Sequence, residues 1–140
     1  MISMTELLGS KNNINDVPIL HQHNLEDLLI KINRIRTEWG QPMIVTSGYR
    51  SMQDHLRIYS EINAKRVKAG LEEKKIPIGS KHLLGLAVDI SDPDGSLHDW
   101  CVANEALLEE VGLWCEVKDE QNRVHFQTEP PRSGNRFFKP

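Results

Sequence analysis

His82, Asp89 and His125 are the side chains whose types and spacing carry the clearest chemistry in this sequence. Two neutral imidazoles and a carboxylate can hold Zn2+ and leave a fourth position open for water, an arrangement that marks catalytic rather than structural zinc. The residues around them suggest how such a set would assemble. In Leu86-Ala87-Val88-Asp89-Ile90, strand alternation puts Leu86, Val88 and Ile90 on one face and Ala87 and Asp89 on the other. In Arg123-Val124-His125-Phe126-Gln127 the apolar Val124 and Phe126 alternate with His125 and Gln127. If the two strands neighbour each other in one sheet, Asp89 and His125 meet on one face. His82 can curl over that face from the turn-like approach that contains Gly79, Ser80 and Gly85. Spacing alone leaves a plainer reading open, in which the histidines are merely satisfied or exposed and Asp89 caps a turn.

The elements that must position these residues follow from period and punctuation. A helix over Leu25–Trp39 is predicted by Leu25, Leu28, Leu29, Ile32, Ile35 and Trp39, with Asn24 as N-cap and Gly40 and Pro42 as stops. Met43-Ile44-Val45-Thr46 reads as a short strand ended by Ser47-Gly48. A second helix opens at Ser51, with Asp54 in the capping-box position, and runs past Tyr59 and Ile62. Residues 70–79 read as a polar loop. After the Asp89 strand and the turn Asp92-Pro93-Asp94-Gly95, a third helix spans Leu97–Val111 and closes on Gly112. Leu113–Glu116 and Arg123–Gln127 then read as the arms of a hairpin. The first 24 residues, 1–24, read as an irregular lead-in to a single domain over 25–140. Helices come early and strands late, which predicts an α+β fold with helices packed on a small, mainly antiparallel sheet carrying the zinc site.

Composition narrows the partners. At 140 residues, 39% hydrophobic and 26% charged, the chain suits one globular domain with its own core. Net charge is −3 with no accumulated basic excess, which argues against nucleic acid as a partner. No apolar run approaches the ~20 residues of a membrane span, so no membrane insertion is expected. Met1–Glu6 lacks the basic and apolar segments of a secretion signal, so the chain is expected to be made in the cytoplasm. A monomer is the expected state. Cys101 and Cys115 lack the spacing of a structural zinc site and read as buried free thiols.

Ser80-Lys81-His82-Leu83-Leu84-Gly85-Leu86-Ala87-Val88-Asp89 resembles the S-x-H-x-x-G-x-A-x-D signature of the M15 family of zinc peptidases. That family includes D-alanyl-D-alanine carboxypeptidases and dipeptidases and the L-alanyl-D-glutamate endopeptidases of phage endolysins. His125 matches its third ligand, and Ser47-Gly48-Tyr49-Arg50-Ser51 resembles its upstream S-G-Y-R segment. The ending from His125 through Phe138 resembles a phage-associated branch, and the likeness covers about residues 25–140. The resemblance implies His82, Asp89 and His125 as zinc ligands. It implies Arg50 as the group that holds substrate or steadies the developing oxyanion, with Ser80 as a substrate or ligand-supporting residue. The implied substrate is a peptidoglycan stem peptide, reached at the cell wall by an export or lysis route supplied from elsewhere.

One position departs from that pattern. Many relatives place a catalytic Glu three residues before the last histidine, where this chain has Asn122, and an amide cannot accept water's proton as a carboxylate does. Among Glu116, Asp119 and Glu120, the resemblance implies Glu116 as the general base, because the phage-associated branch also carries an acid at this place, the end of the strand Leu113-Trp114-Cys115. Asp119 and Glu120 fall in the turn and are expected to be solvated, as are Gln53 and His55. The expected function is zinc-dependent hydrolysis of stem peptides, of carboxypeptidase or endopeptidase type. The alternative is a non-hydrolytic zinc-containing binding or structural module, for example of a phage particle.

Overall fold

The computed structural model describes residues 1–140. Its longest helix, α2 (Ile19–Trp39; α1 is the short helix Met4–Leu8), buries Leu25, Leu28, Ile32 and Ile35 along one stripe. It ends where Gly40 takes the left-handed conformation at φ 75° and donates its N–H to the Arg36 carbonyl, as the Gly-then-Pro punctuation predicts. The helix begins six residues earlier than the apolar period indicates. Asn24 is therefore not a cap: it lies inside the helix, and its side-chain amide donates to the Leu84 carbonyl at 2.9 Å.

The lead-in read as irregular is ordered. Ser3 and Glu6 form a reciprocal capping box around α1, and Ile2, Leu7, Leu8 and Val17 are buried in the core. Its apolar residues are too few and too irregularly spaced to show a period. They are buried because they pack with the α2 stripe and the apolar sheet face into one core.

Five strands form one mixed sheet in the order β1-β2-β4-β3-β5. They are β1 (Val45–Ser47), β2 (Ala87–Ser91), β3 (Trp114–Glu116), β4 (Arg123–Gln127) and β5 (Phe137–Phe138). All pairs are antiparallel except β3 with β5. The fold is α+β as expected, but β5 was not, since two residues are too short to show alternation. Val88, Ile90, Cys115, Val124 and Phe126 give the sheet an apolar face that packs with the α2 stripe into one core. Both cysteines are free and buried there.

Helix α3 (Met52–Lys68) opens on Ser51, whose hydroxyl accepts from the Asp54 N–H as predicted. The helix expected over Leu97–Val111 is instead two, α4 (Ser96–Ala103) and α5 (Glu105–Val111). They break at Asn104, whose φ of −118° leaves the helical region. Helical period continues across the break, so periodicity alone could not reveal it. No helix is long and apolar enough to cross a membrane.

Candidate metal centre

Strand register lines up the site. Ser47 on β1 pairs with Asp89 on β2, and Asp89 pairs with His125 on β4. A shift between Val45 and Ser47 makes Ser47, rather than Thr46, the residue opposite Asp89. On the far side, Cys115 pairs with Phe126, which brings the next residue of β3, Glu116, beside His125 at 3.8 Å. Residues directly opposite across a sheet share a face. Glu116, His125, Asp89 and Ser47 therefore form a row across four strands, on the face away from the core.

His82 joins this row from the helical turn Lys81–Leu84, which the left-handed Gly85 (φ 74°) turns into β2. His82 Nε2 lies 3.3 Å from Asp89 Oδ2, and His125 Nδ1 lies 2.8 Å from Asp89 Oδ1. All three residues are buried, and one ligand atom from each falls within 4.8 Å of the others. The cluster expected from the sequence is assembled and can hold a metal ion.

The outer nitrogens of both rings test whether the donors fit such an ion. His82 Nδ1 donates to the Gly48 carbonyl at 2.8 Å, which leaves the Nε2 lone pair directed at the cluster. His125 Nε2 donates to Gln127 Oε1 at 2.9 Å, and Gln127 is held in that orientation because its own amide donates to the Glu129 carbonyl. Pinning the remote nitrogen fixes tautomer and ring angle, as in known metal sites. The donor set fits a divalent ion that favours nitrogen and oxygen.

Without an ion, the cluster carries its own charge balance. Burial alone would raise the Asp89 pKa, but the side-chain contacts with His125 and His82 outweigh it and hold the carboxyl well below the usual range. Burial would lower the His125 pKa, but its hydrogen bond to Asp89 and the charges of Asp89 and Glu116 raise it. Arg123 adds a cation, 3.2 Å from Asp89 Oδ1 and 3.7 Å from both Glu116 and Asp119. The sequence reading gave Arg123 no role, yet it stands two residues before His125, so alternation along β4 places it on the same face.

Arg50 sits at the Ser47 end of the row. Its N–H donates to the His82 carbonyl at 3.2 Å, and its guanidinium donates to Ser47 Oγ at 3.0 Å and to His55 Nδ1 at 3.1 Å. His55 is not solvated as expected but fully buried, with Nε2 donating to the Pro77 carbonyl at 2.7 Å. That bond leaves Nδ1 free to accept from Arg50. Asp119, Glu120 and Gln53 are exposed as expected, and Asp119 also lies 3.7 Å from Arg123. Ser80 is half-buried just before the His82 turn, and its side chain makes no capping bond. Asn122 has φ 56°. An amide suits this left-handed turn better than a Glu would, since Asn is enriched there.

The α+β domain thus carries a sheet-borne His/Asp/His cluster that could hold a metal ion, flanked by a carboxylate and a fixed guanidinium. The family described as D-alanyl-D-alanine carboxypeptidase (VanY) matches residues 19–135, and the chain belongs to it. No curated protein and no solved structure matches the chain.

Proposed function

We propose that this protein is a zinc-dependent peptidase of peptidoglycan stem peptides, of D-Ala-D-Ala carboxypeptidase or L-Ala-D-Glu endopeptidase type. Family membership supports the substrate class. The observation that carries the hydrolytic reading is Glu116, a carboxylate 3.8 Å from His125 at the edge of the metal cluster. His82 through Nε2, Asp89 through a carboxylate oxygen and His125 through Nδ1 would hold the zinc. Bound there, zinc supplies Lewis acidity toward a carbonyl oxygen and toward water.

The chain's own residues supply the rest. Glu116 Oε2 is engaged by Arg123, while Oε1 turns toward His125. Oε1 can therefore take a proton from the attacking water and pass it to the departing amine. Arg50, fixed by Ser47 and His55, presents a planar pair of donors that suits a substrate carboxylate or the developing oxyanion. Ser80, at the entry to the His82 turn, would bond the substrate backbone.

The second reading, a non-hydrolytic zinc-containing module, is favoured by Asn122, which stands where many relatives carry the catalytic Glu. Zinc-loaded protein incubated with purified peptidoglycan separates the readings by mass spectrometry of the products. Released D-alanine marks a carboxypeptidase, and new D-Glu amino termini mark an endopeptidase. Zinc-bound protein that leaves the stem peptides intact would overturn hydrolysis in favour of the second reading.

A further inference from the structure

The geometry points to the N-terminal segment, residues 1–12, as an internal brace that positions His82 and Arg50 through Gly48 and Tyr49. This segment lies outside the residues 19–135 that match the family, yet it touches the loop that orients the site. The Tyr49 N–H donates to the Leu7 carbonyl at 2.7 Å. The Asn12 amide donates to the Leu8 carbonyl at 2.8 Å and to the Tyr49 carbonyl at 3.4 Å.

Gly48 is the point of closest approach. A Cβ placed there would collide with the backbone of Leu7, although the Gly48 φ is one that any residue can adopt. Glycine is therefore required here by the packed segment and not by the turn. The same Gly48 supplies the carbonyl that accepts from His82 Nδ1, and the next residue but one is Arg50, whose N–H donates to the His82 carbonyl. A short path thus runs from Leu7 through Gly48 to a metal ligand.

The far end of the segment is anchored independently. Asn33 on α2 accepts from the Ile2 N–H at 2.7 Å and donates to the Ile2 carbonyl at 2.8 Å. Ile2, Leu7 and Leu8 are buried in the core between these anchors. Residues of the segment, including Glu6 and Lys11, also wall a cavity of about 340 Å³ that opens beside Ser47 and Arg50. Anchored at both ends, the segment keeps the Ser47–Arg50 loop in the one conformation in which the Gly48 carbonyl meets His82.

The functional part of this inference rests on the zinc-peptidase reading, but its test does not depend on turnover. Two variants are compared with the full chain: Gly48→Ala, which wedges the segment off the loop, and Asn33→Ala, which frees its far end without touching the loop. The first readout is zinc affinity by chelator competition. The second, in zinc-free protein, is the nitrogen NMR signature of His82, whose Nδ1 should carry the proton. Altering a group that orients a ligand typically costs about tenfold to hundredfold in metal affinity. Gly48→Ala should show that loss together with a mixed His82 tautomer, and Asn33→Ala a smaller loss with faster exchange of the Tyr49 amide proton. Leu108→Ala, a core change in α5, should lower the melting temperature yet leave zinc affinity and the His82 signature as in wild type. If Gly48→Ala does not fold, Asn33→Ala carries the decision. Folded variants with wild-type zinc affinity and wild-type His82 signals overturn the brace. If the wild-type chain binds no zinc, the peptidase reading fails, and the His82 signature of the zinc-free variants still decides for or against the brace.

Discussion

The two halves of the site are built by different means. Asp89, His125 and Glu116 lie on adjacent strands, and sheet register alone sets their spacing. His82 and Arg50 lie on turns, and their positions depend on single bonds: Gly48 to His82, His82 to Arg50, and Ser47 and His55 to the guanidinium. The strand half is held by a ladder in which each bond is supported by its neighbours. The turn half has no ladder, so removing one partner moves a functional group. Damage to the strand half should therefore appear as lost chemistry with unchanged geometry, and damage to the turn half as misplacement.

The largest effect should come from the ligands themselves. Wild-type protein should carry about one zinc per chain, as a three-ligand site with one open position requires. His82→Ala and His125→Ala should each lose most of it by elemental analysis. Full retention in both variants would sink the metal assignment and, with it, the equivalence of the two halves as ligand donors.

Next comes Glu116→Gln, which keeps the shape of the strand half and removes only its proton acceptor. Turnover on peptidoglycan fragments should fall roughly a hundredfold to ten-thousandfold, the usual cost of losing a general base, with zinc content unchanged. Asp119→Asn should act far more weakly. Near-normal turnover in Glu116→Gln would move the base elsewhere.

Arg50→Lys probes the turn half, since it retains charge but loses the two-pronged fork. A hydrogen bond to a charged group is worth about 1.5–3 kcal/mol, so kcat/KM should drop roughly tenfold to hundredfold. Zinc content should hold. An unchanged kcat/KM would reduce Arg50 to a structural residue.

The smallest effect is one of pH, and it reads chiefly the strand half, with His82 contributing to the Asp89 shift. In zinc-free protein the raised His125 pKa means that its protonated form contributes stability fully below the ordinary value of 6.5, lost as pH rises through the folded value. The lowered Asp89 pKa contributes stability above its ordinary value of 3.8, lost as pH falls through the folded value. Chelated protein should therefore melt highest between about 3.8 and 6.5 as far as this pair governs it. Zinc needs a neutral imidazole, so its affinity should begin to fall while pH is still above 6.5. A melting maximum that stays at the same pH with and without zinc would contradict ligation through His125.

The sequence by itself determined the strand half of this protein. Two-residue alternation around Asp89 and His125 put both on the face opposite Val88 and Val124, and that period is local, so it survives without a fold. The α2 stripe and its Gly40 stop were legible for the same reason. Glu116 was expected from the resemblance and from its place at a strand end, and register then brought it beside His125. Only tertiary structure decided the turn half. Whether His55 is solvated or holds Arg50, whether residues 1–12 trail or brace Gly48, and which nitrogen of His82 faces Asp89 all depend on groups far apart in the chain. Even Arg123 needed the β4 neighbours to show that one guanidinium can serve Asp89, Glu116 and Asp119 together. A repeating pattern is written along the chain, whereas a single hydrogen bond between distant turns leaves no period and exists only once the core has closed.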